Sequence, residues 1–196
     1  MRLLTFSFLA LVVALASCKP AADQSSSQQT TTPDTTIIKT AEAAFVFAMP
    51  LALMDISRKK LTNFESPVDG KGGPGNQMVH FTKFPDANFR DVVRPNADTY
   101  YNTASLDLSS DAMVLEVPNT NGRYYLLPML DAWTNIFISP GKRTTGTEAQ
   151  KYLITGPQWK GTVPAGLEEI KAPTNLVWMI GRLQVNSAED GKKVVV

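Results

Sequence analysis

Arg94-Pro95-Asn96-Ala97-Asp98-Thr99-Tyr100-Tyr101 stands where a helix-like pattern gives way to a strand-like one. It brings a cation, a carboxylate, an amide and two phenols into one short stretch. From Asp98 onward the period is two. Tyr100, Ala104, Leu106 and Leu108 fall on one side of the run, interrupted by Asn102. Thr99, Tyr101, Thr103, Ser105 and Asp107 fall on the other. Such alternation is the mark of a strand with one face buried.

Downstream the same grammar repeats. Met113–Val117 is followed by Pro118-Asn119-Thr120-Asn121-Gly122 and then by Arg123–Leu127. Asn-Gly between apolar runs predicts a hairpin with a loop longer than two residues. Asp131–Ser139, Tyr152–Thr155 and Leu167–Lys171 read as further strands, with turns at Pro140-Gly141 and Gly156-Pro157. Leu176–Val185 is long and apolar enough to lie centrally. Strands about ten residues apart with Pro or Gly between them predict a mainly β (α+β) domain. The architecture expected is a β-sandwich or jelly-roll-like antiparallel sheet with one N-terminal helix or kinked helix pair.

Upstream, residues 37–61 carry Ala41, Ala44, Phe45, Ala48, Leu51, Ala52 and Met54 at mixed three- and four-residue spacing, as on a broad helical face. Thr40 is the expected N-cap. Pro50 should kink or split the helix, and Arg58, Lys59 and Lys60 complement its dipole at the C-terminus. Such a helix covers one side of a sheet. Residues 66–78 hold four glycines and two prolines and read as a loop, expected to act as a lid or flap. His80 is the sole histidine; as a base or ligand it needs companions from elsewhere in the chain.

The amino terminus speaks to location. Arg2 precedes an apolar run, Leu3–Ala16, too short to span a bilayer as a mature helix and ending in small residues. Residues 1–17 therefore read as a signal peptide. Leu15-Ala16-Ser17-Cys18 resembles a bacterial lipobox, in which the thiol receives diacylglycerol and the chain is cut before it. Acyl chains add roughly 0.8 kcal/mol per buried CH₂, so the attachment to the membrane through Cys18 would be firm. With this one cysteine consumed, the domain has no disulfide and no thiol nucleophile. Lys19 after the cysteine points onward to the outer membrane, facing the periplasm or the cell surface. Residues 18–36 lack large apolar side chains and read as a disordered tether, leaving 37–196 as the β domain.

Of the 196 residues, 19 are Lys or Arg and 18 Asp or Glu, a balance that provides no electrostatic footprint for nucleic acid. About 160 residues outside the signal and tether suffice for one well-cored domain.

Several ordered words resemble the DUF1254 family, a domain of unknown function. They are Arg94–Thr99, Gly122-Arg123-Tyr124-Tyr125, Asp131-Ala132-Trp133-Thr134-Asn135, Ser139–Gly146, Gly156-Pro157-Gln158-Trp159-Lys160-Gly161 and Pro173–Arg182. The resemblance spans about residues 41–190. It implies a mainly β domain with a leading helix, and no established reaction. Relatives usually continue past the equivalent of Asp190 into a helix and a DUF1214 domain. The resemblance thus implies a fragment, or a short form whose C-terminal edge is completed by a partner domain; Val194-Val195-Val196 does not read as a finished edge.

Known catalytic signatures are absent: no Gly-x-Ser-x-Gly, no His-Glu-x-x-His, no dinucleotide fingerprint, and no motif calling for a metal or cofactor. What remains is a polar–aromatic constellation: Arg94, Asn96, Asp98, Tyr100, Tyr101, Asp131, Trp133, Asn135 and Arg143, with Arg123, Tyr124 and Trp159 beside it. Aromatic platforms flanked by carboxylates and amides suit a small polar or saccharide ligand. Alternatively, His80, Asp98 and Asp131 converge as acid–base groups of a metal-assisted or acid–base hydrolase. In a third reading the domain is purely structural, with Arg94–Asp98 and Asp131–Arg143 ion pairs pinning turns.

Overall fold

The computed structural model describes residues 34–90 and 93–194. The signal peptide, Cys18, most of the tether and the last two valines lie outside the described residues. The chain divides into Met1–Ile38 and Lys39–Val196, the second a compact unit. Of the first, the described residues are Asp34 and the opening of the helix α1 (Thr35–Leu61).

The helix starts two residues before the expected boundary and is capped by Asp34, not Thr40. The Asp34 Oδ1 accepts the Thr36 N–H at 2.8 Å, a carboxylate stabilising the free amides of a first turn. Pro50 sits inside one continuous helix. It removes a single N–H, and the alanine-rich sequence around it supplies the propensity to continue. At the far end Thr62 closes the helix, its N–H and hydroxyl both donating to the Arg58 carbonyl at 2.8 Å.

The larger unit is mainly β. Its strands are β1 (Val79–His80), β2 (Thr99–Asp107), β3 (Met113–Val117), β4 (Tyr125–Leu126), β5 (Met129–Leu130), β6 (Ile136–Ile138), β7 (Gln150–Thr155), β8 (Glu168–Lys171) and β9 (Leu176–Gln184). A short helix, α2 (Ala188–Val194), follows. One sheet is antiparallel in the order β1-β2-β9-β5-β6, with β4 also paired to β9. The other runs β3-β7-β8, and there β8 is parallel to β7, a departure from the all-antiparallel expectation.

β9 is the spine. It pairs with β2 over nine positions, from Thr99↔Gln184 to Asp107↔Leu176, and with β4 and β5 on its other edge. The register places Ala104 beside Met179 and Leu106 beside Val177 on the inner face. These meet Tyr152 and Ile154 of β7 and Ile170 of β8, so both sheets share one core. Burying each such side chain contributes about 1.5–3 kcal/mol. On the outer face Met54, Ser57, Arg58 and Leu61 of α1 lie against Ser105 and Trp178. The Trp178 indole N–H donates to the Thr103 hydroxyl at 2.9 Å, and that hydroxyl donates to the Met179 carbonyl at 3.0 Å.

Three local expectations are corrected. The Asn121-Gly122 turn does not close a hairpin: β3 pairs with β7 and β4 with β9, so the segment crosses from one sheet to the other. Its tight turn is real, with φ of 50° at Asn121 and 79° at Gly122 and the Arg123 N–H donating to the Thr120 carbonyl at 3.0 Å. Asp131–Ser139 is not one strand: 131–135 is the turn of a hairpin between β5 and β6, and within the segment only Ile136–Ile138 is extended. The 66–78 loop is pinned instead of hanging free as a flap. Gly73 N–H donates to the Leu61 carbonyl at 3.0 Å, and the Asn76 side chain bonds both backbone groups of Asp107.

Candidate functional site

Where β1, β2, β4 and β9 of one sheet face β3 of the other, the sheets part and leave an open cleft of about 840 Å³. The crossover segment 118–123 closes one end, and Lys193 and Val194 of α2 border it. Its floor is apolar, from Met78, Leu115, Val117, Leu127 and Leu183. Its polar lining is mixed: the amides of Asn102, Asn119, Asn121, Gln184 and Asn186, with Thr120 and His80, beside the charged Glu116, Arg123, Arg182 and Lys193.

The β1–β2 register sets His80 directly opposite Asn102 on the cleft side. The His80 Nδ1–H donates to the Asn102 Oδ1 at 2.5 Å. In the neutral ring this leaves Nε2 as an acceptor. Asn102 occupies a position that the strand period assigns to the core, and β9 opposes it with Gly181. A Cβ on Gly181 would lie 2.5 Å from the Leu127 Cδ2, so the glycine admits Leu127 to the base of the cleft.

Arg123 anchors α2 to the crossover. Its guanidinium donates to both oxygens of Asp190, at 2.6 and 2.8 Å, and to the Gln184 carbonyl at 3.0 Å. Asp190 also accepts the Asn186 N–H at 2.9 Å, while Ser187 Oγ caps the Asp190 amide. The Arg123 hydrogen bonds, then the Asn186 amide, hold the Asp190 carboxyl below the usual carboxylate range. A depressed folded-state pKa gives stability that is present above the unfolded value and lost as pH falls through the folded one. Asp190→Asn should therefore lower Tm at neutral pH, with the gap from the parent narrowing below about pH 4. Thermal melts across that range check the sign.

Asn96 and Asp131 serve the backbone. The Asn96 Oδ1 accepts the Thr99 N–H at 2.8 Å and its hydroxyl at 2.7 Å, setting the entry to β2. Asp131 is buried; its Oδ1 accepts the Trp133 and Asn135 N–H groups at 2.9 Å and its Oδ2 the Asn135 amide at 3.2 Å. Neither expected ion pair forms. Arg143 instead lies over the Tyr124 ring at 5.4 Å; Arg94 and Asp98 are exposed, with no ion pair between them among the described residues. Tyr100 is core, its ring tilted against that of Phe84 with centroids 4.8 Å apart. Tyr101 lies on the outer face under the Arg182 guanidinium at 5.5 Å. Trp133 meets Phe47 of α1 at 4.9 Å.

Of the constellation, Asp98 and Arg143 do come together, with Tyr124, around a shallow depression. Gln184 and Asn186 line both this depression and the cleft, so the two adjoin. The hydrolase triad does not assemble. Asp98 precedes Thr99, which pairs with Gln184, and Asp131 follows Leu130, which pairs with Trp178. At ~3.4 Å per residue those two points on β9 are about 20 Å apart. His80 belongs to the cleft wall with neither carboxylate beside it.

Sequence reasoning passed over Asn102, Asn119, Gln184 and Asn186. The available signal was Asn102 itself, a polar residue at a core-phase position.

Comparison with known proteins agrees with this fold. The crystal structure of the VPA0106 protein from Vibrio parahaemolyticus superposes with a TM-score of 0.60 at 22% identity. The match covers 79% of this chain and 35% of that one, so the chain spans about a third of the length of that structure, and the likeness concerns the fold alone. No curated protein matches the chain. Residues 75–196 match the family described as "Protein of unknown function (DUF1254)", and the chain belongs to that family.

Proposed function

We propose that this chain is an exported, lipid-anchored envelope protein that holds a small polar ligand of saccharide type in the cleft between its sheets. The observation that carries the reading is the cleft's make-up: about 840 Å³, an apolar floor, and five amide side chains converging on it among charged groups of both signs. Small-molecule sites fall in the range of roughly 300–1,000 Å³ and combine apolar walls with a few convergent polar groups. A sugar ring offers C–H patches to such a floor and hydroxyls to such amides. Each Asn or Gln amide can donate and accept, which matches a hydroxyl's own capacity. A ligand longer than one ring reaches the depression bordered by Asp98, Tyr124 and Arg143.

Calorimetric titration with soluble peptidoglycan fragments and chito-oligosaccharides tests the site. His80→Ala and Asn102→Ala should each weaken binding by about tenfold or more, the effect of a lost hydrogen bond of about 1.4 kcal/mol. Asn135→Ala, outside the cleft, should bind as the parent does. Equal affinities across all three variants would remove the cleft from consideration. Anchoring has its own readout: labelled palmitate should enter the parent chain in cells and not Cys18→Ala.

A further inference from the structure

The helix α1 is apolar on two faces, and the sheet covers only one. Met54 and Leu61 border the outer face of the β2–β9 sheet, and seven residues before Met54 the Phe47 ring touches Trp133 while remaining 70% exposed. Phe45, Val46, Leu53 and Ile56 lie on the other side, 65%, 71%, 54% and 62% exposed. By length and composition alone the helix is long and apolar enough to cross a membrane. A core helix so apolar is mostly buried, whereas 6% of the apolar stretch of α1 is. The apolar centre, Ala43–Met54, is bounded by Glu42 and Asp55, too short an uncharged run to span a bilayer and long enough to lie at its surface.

We infer that the outer face of α1 is a membrane-docking surface that lies in the interface of an anionic bilayer, with the sheet behind it. Charge supports lipid over a protein partner. The helix carries Lys39, Arg58, Lys59 and Lys60 against Glu42 and Asp55, so it is net cationic even though Arg58, on the sheet side, and Lys59 are both paired with Asp55. Basic residues are drawn to an anionic leaflet, and lysine stems reach from an apolar face to the headgroups. The chain outside the described residues supports the same occupant. Cys18 and Asp34 are separated by a segment with a contour length of at most roughly 55 Å, so an anchored chain keeps α1 within reach of the bilayer that holds its lipid. This clause rests on the anchored reading; the face itself does not.

The test uses the full chain with Cys18→Ala, so that single introduced cysteines carry an environment-sensitive fluorophore. Val46→Cys and Leu53→Cys report on α1, and Asp111→Cys reports on an exposed turn of the β domain. With vesicles of phosphatidylethanolamine and phosphatidylglycerol, emission at 46 and 53 should rise several-fold, shift to the blue and be quenched by spin-labelled lipid. Emission at 111 should not change, and phosphatidylcholine vesicles should give a weaker response at 46 and 53. Unchanged emission at 46 and 53 while the chain floats with vesicles would mean that residues 1–17 alone bind, and overturns the inference. So would a blue shift at 46 and 53 without vesicles that grows with protein concentration, which identifies a second copy as the occupant. Failure of palmitate labelling, by contrast, would remove the anchor and leave these readouts standing.

Discussion

Tyr152→Ala should lower the unfolding free energy by about 3–5 kcal/mol, the cost of truncating a fully buried aromatic. Tyr152 is 1% exposed and sits in the middle strand of its sheet, paired with Leu115 on one side and Glu168 on the other. Its ring fills the core shared by both sheets, and its hydroxyl bonds the Gln150 side chain. Burial raises the phenol's pKa, so the ring stays neutral through physiological pH. Since a domain of this kind is stable by only about 5–15 kcal/mol, the variant should lose at least about a fifth of that margin. Urea denaturation should show a lower midpoint at an unchanged slope. Tyr152→Phe removes only the hydroxyl and should cost about 1 kcal/mol. A loss below that for the alanine variant would mean that the two sheets do not share this core.

Asp131→Ala should cost about 1–3 kcal/mol, because two backbone N–H groups and the Asn135 amide lose their acceptor in one step. The turn it holds is strained: Thr134 has a φ of 69°, which a β-branched residue adopts only when its surroundings compel it. Asp131→Asn retains an oxygen for the two backbone groups and should recover much of the loss. Thermal melts of both variants measure this, and ligand binding in the cleft should be unchanged in whichever variant is folded. If alanine at 131 instead abolished binding with the melt unaltered, Asp131 would be a ligand-binding residue and the turn-holding role would be wrong.

What was legible depended on whether a residue's role is local. Periodicity located β2, β3, β7, β8 and β9 because one buried face imposes a period of two. It could not see that Met113–Val117 and Tyr125–Leu126 join different sheets, since Asn121-Gly122 makes the same tight turn in a hairpin and in a crossover. Nor could it separate β5 from β6. The turn between them is held by one carboxylate, and Asp131 read as chemistry for the same reason that it works as structure: it is acidic and flanked by groups with N–H to give. The density of polar residues at Arg94–Tyr101 likewise reflects the entry to a strand, where Asn96 binds the Thr99 backbone and hydroxyl. The cleft stayed hidden because it is made by distant pieces. His80, Asn102, Asn119 and Gln184 converge only after β2 finds β9, and no window along the chain contains them together.

That pairing has a consequence for how the chain reaches its fold. The bonded groups of Thr103 and Met179 are 76 residues apart in sequence. Until β9 is made, β2 has on that edge no strand to join, and α1 has no finished surface to rest on. Folding dominated by such distant pairings is slow, in the millisecond-to-second range, because loop closure precedes any reward from contact. Wherever the chain folds, β2 therefore keeps an unpaired edge until β9 arrives. The last strand acts as the key of an arch: the early pieces stand only when it drops in, and a chain interrupted before residue 184 leaves an aggregation-prone half-sheet.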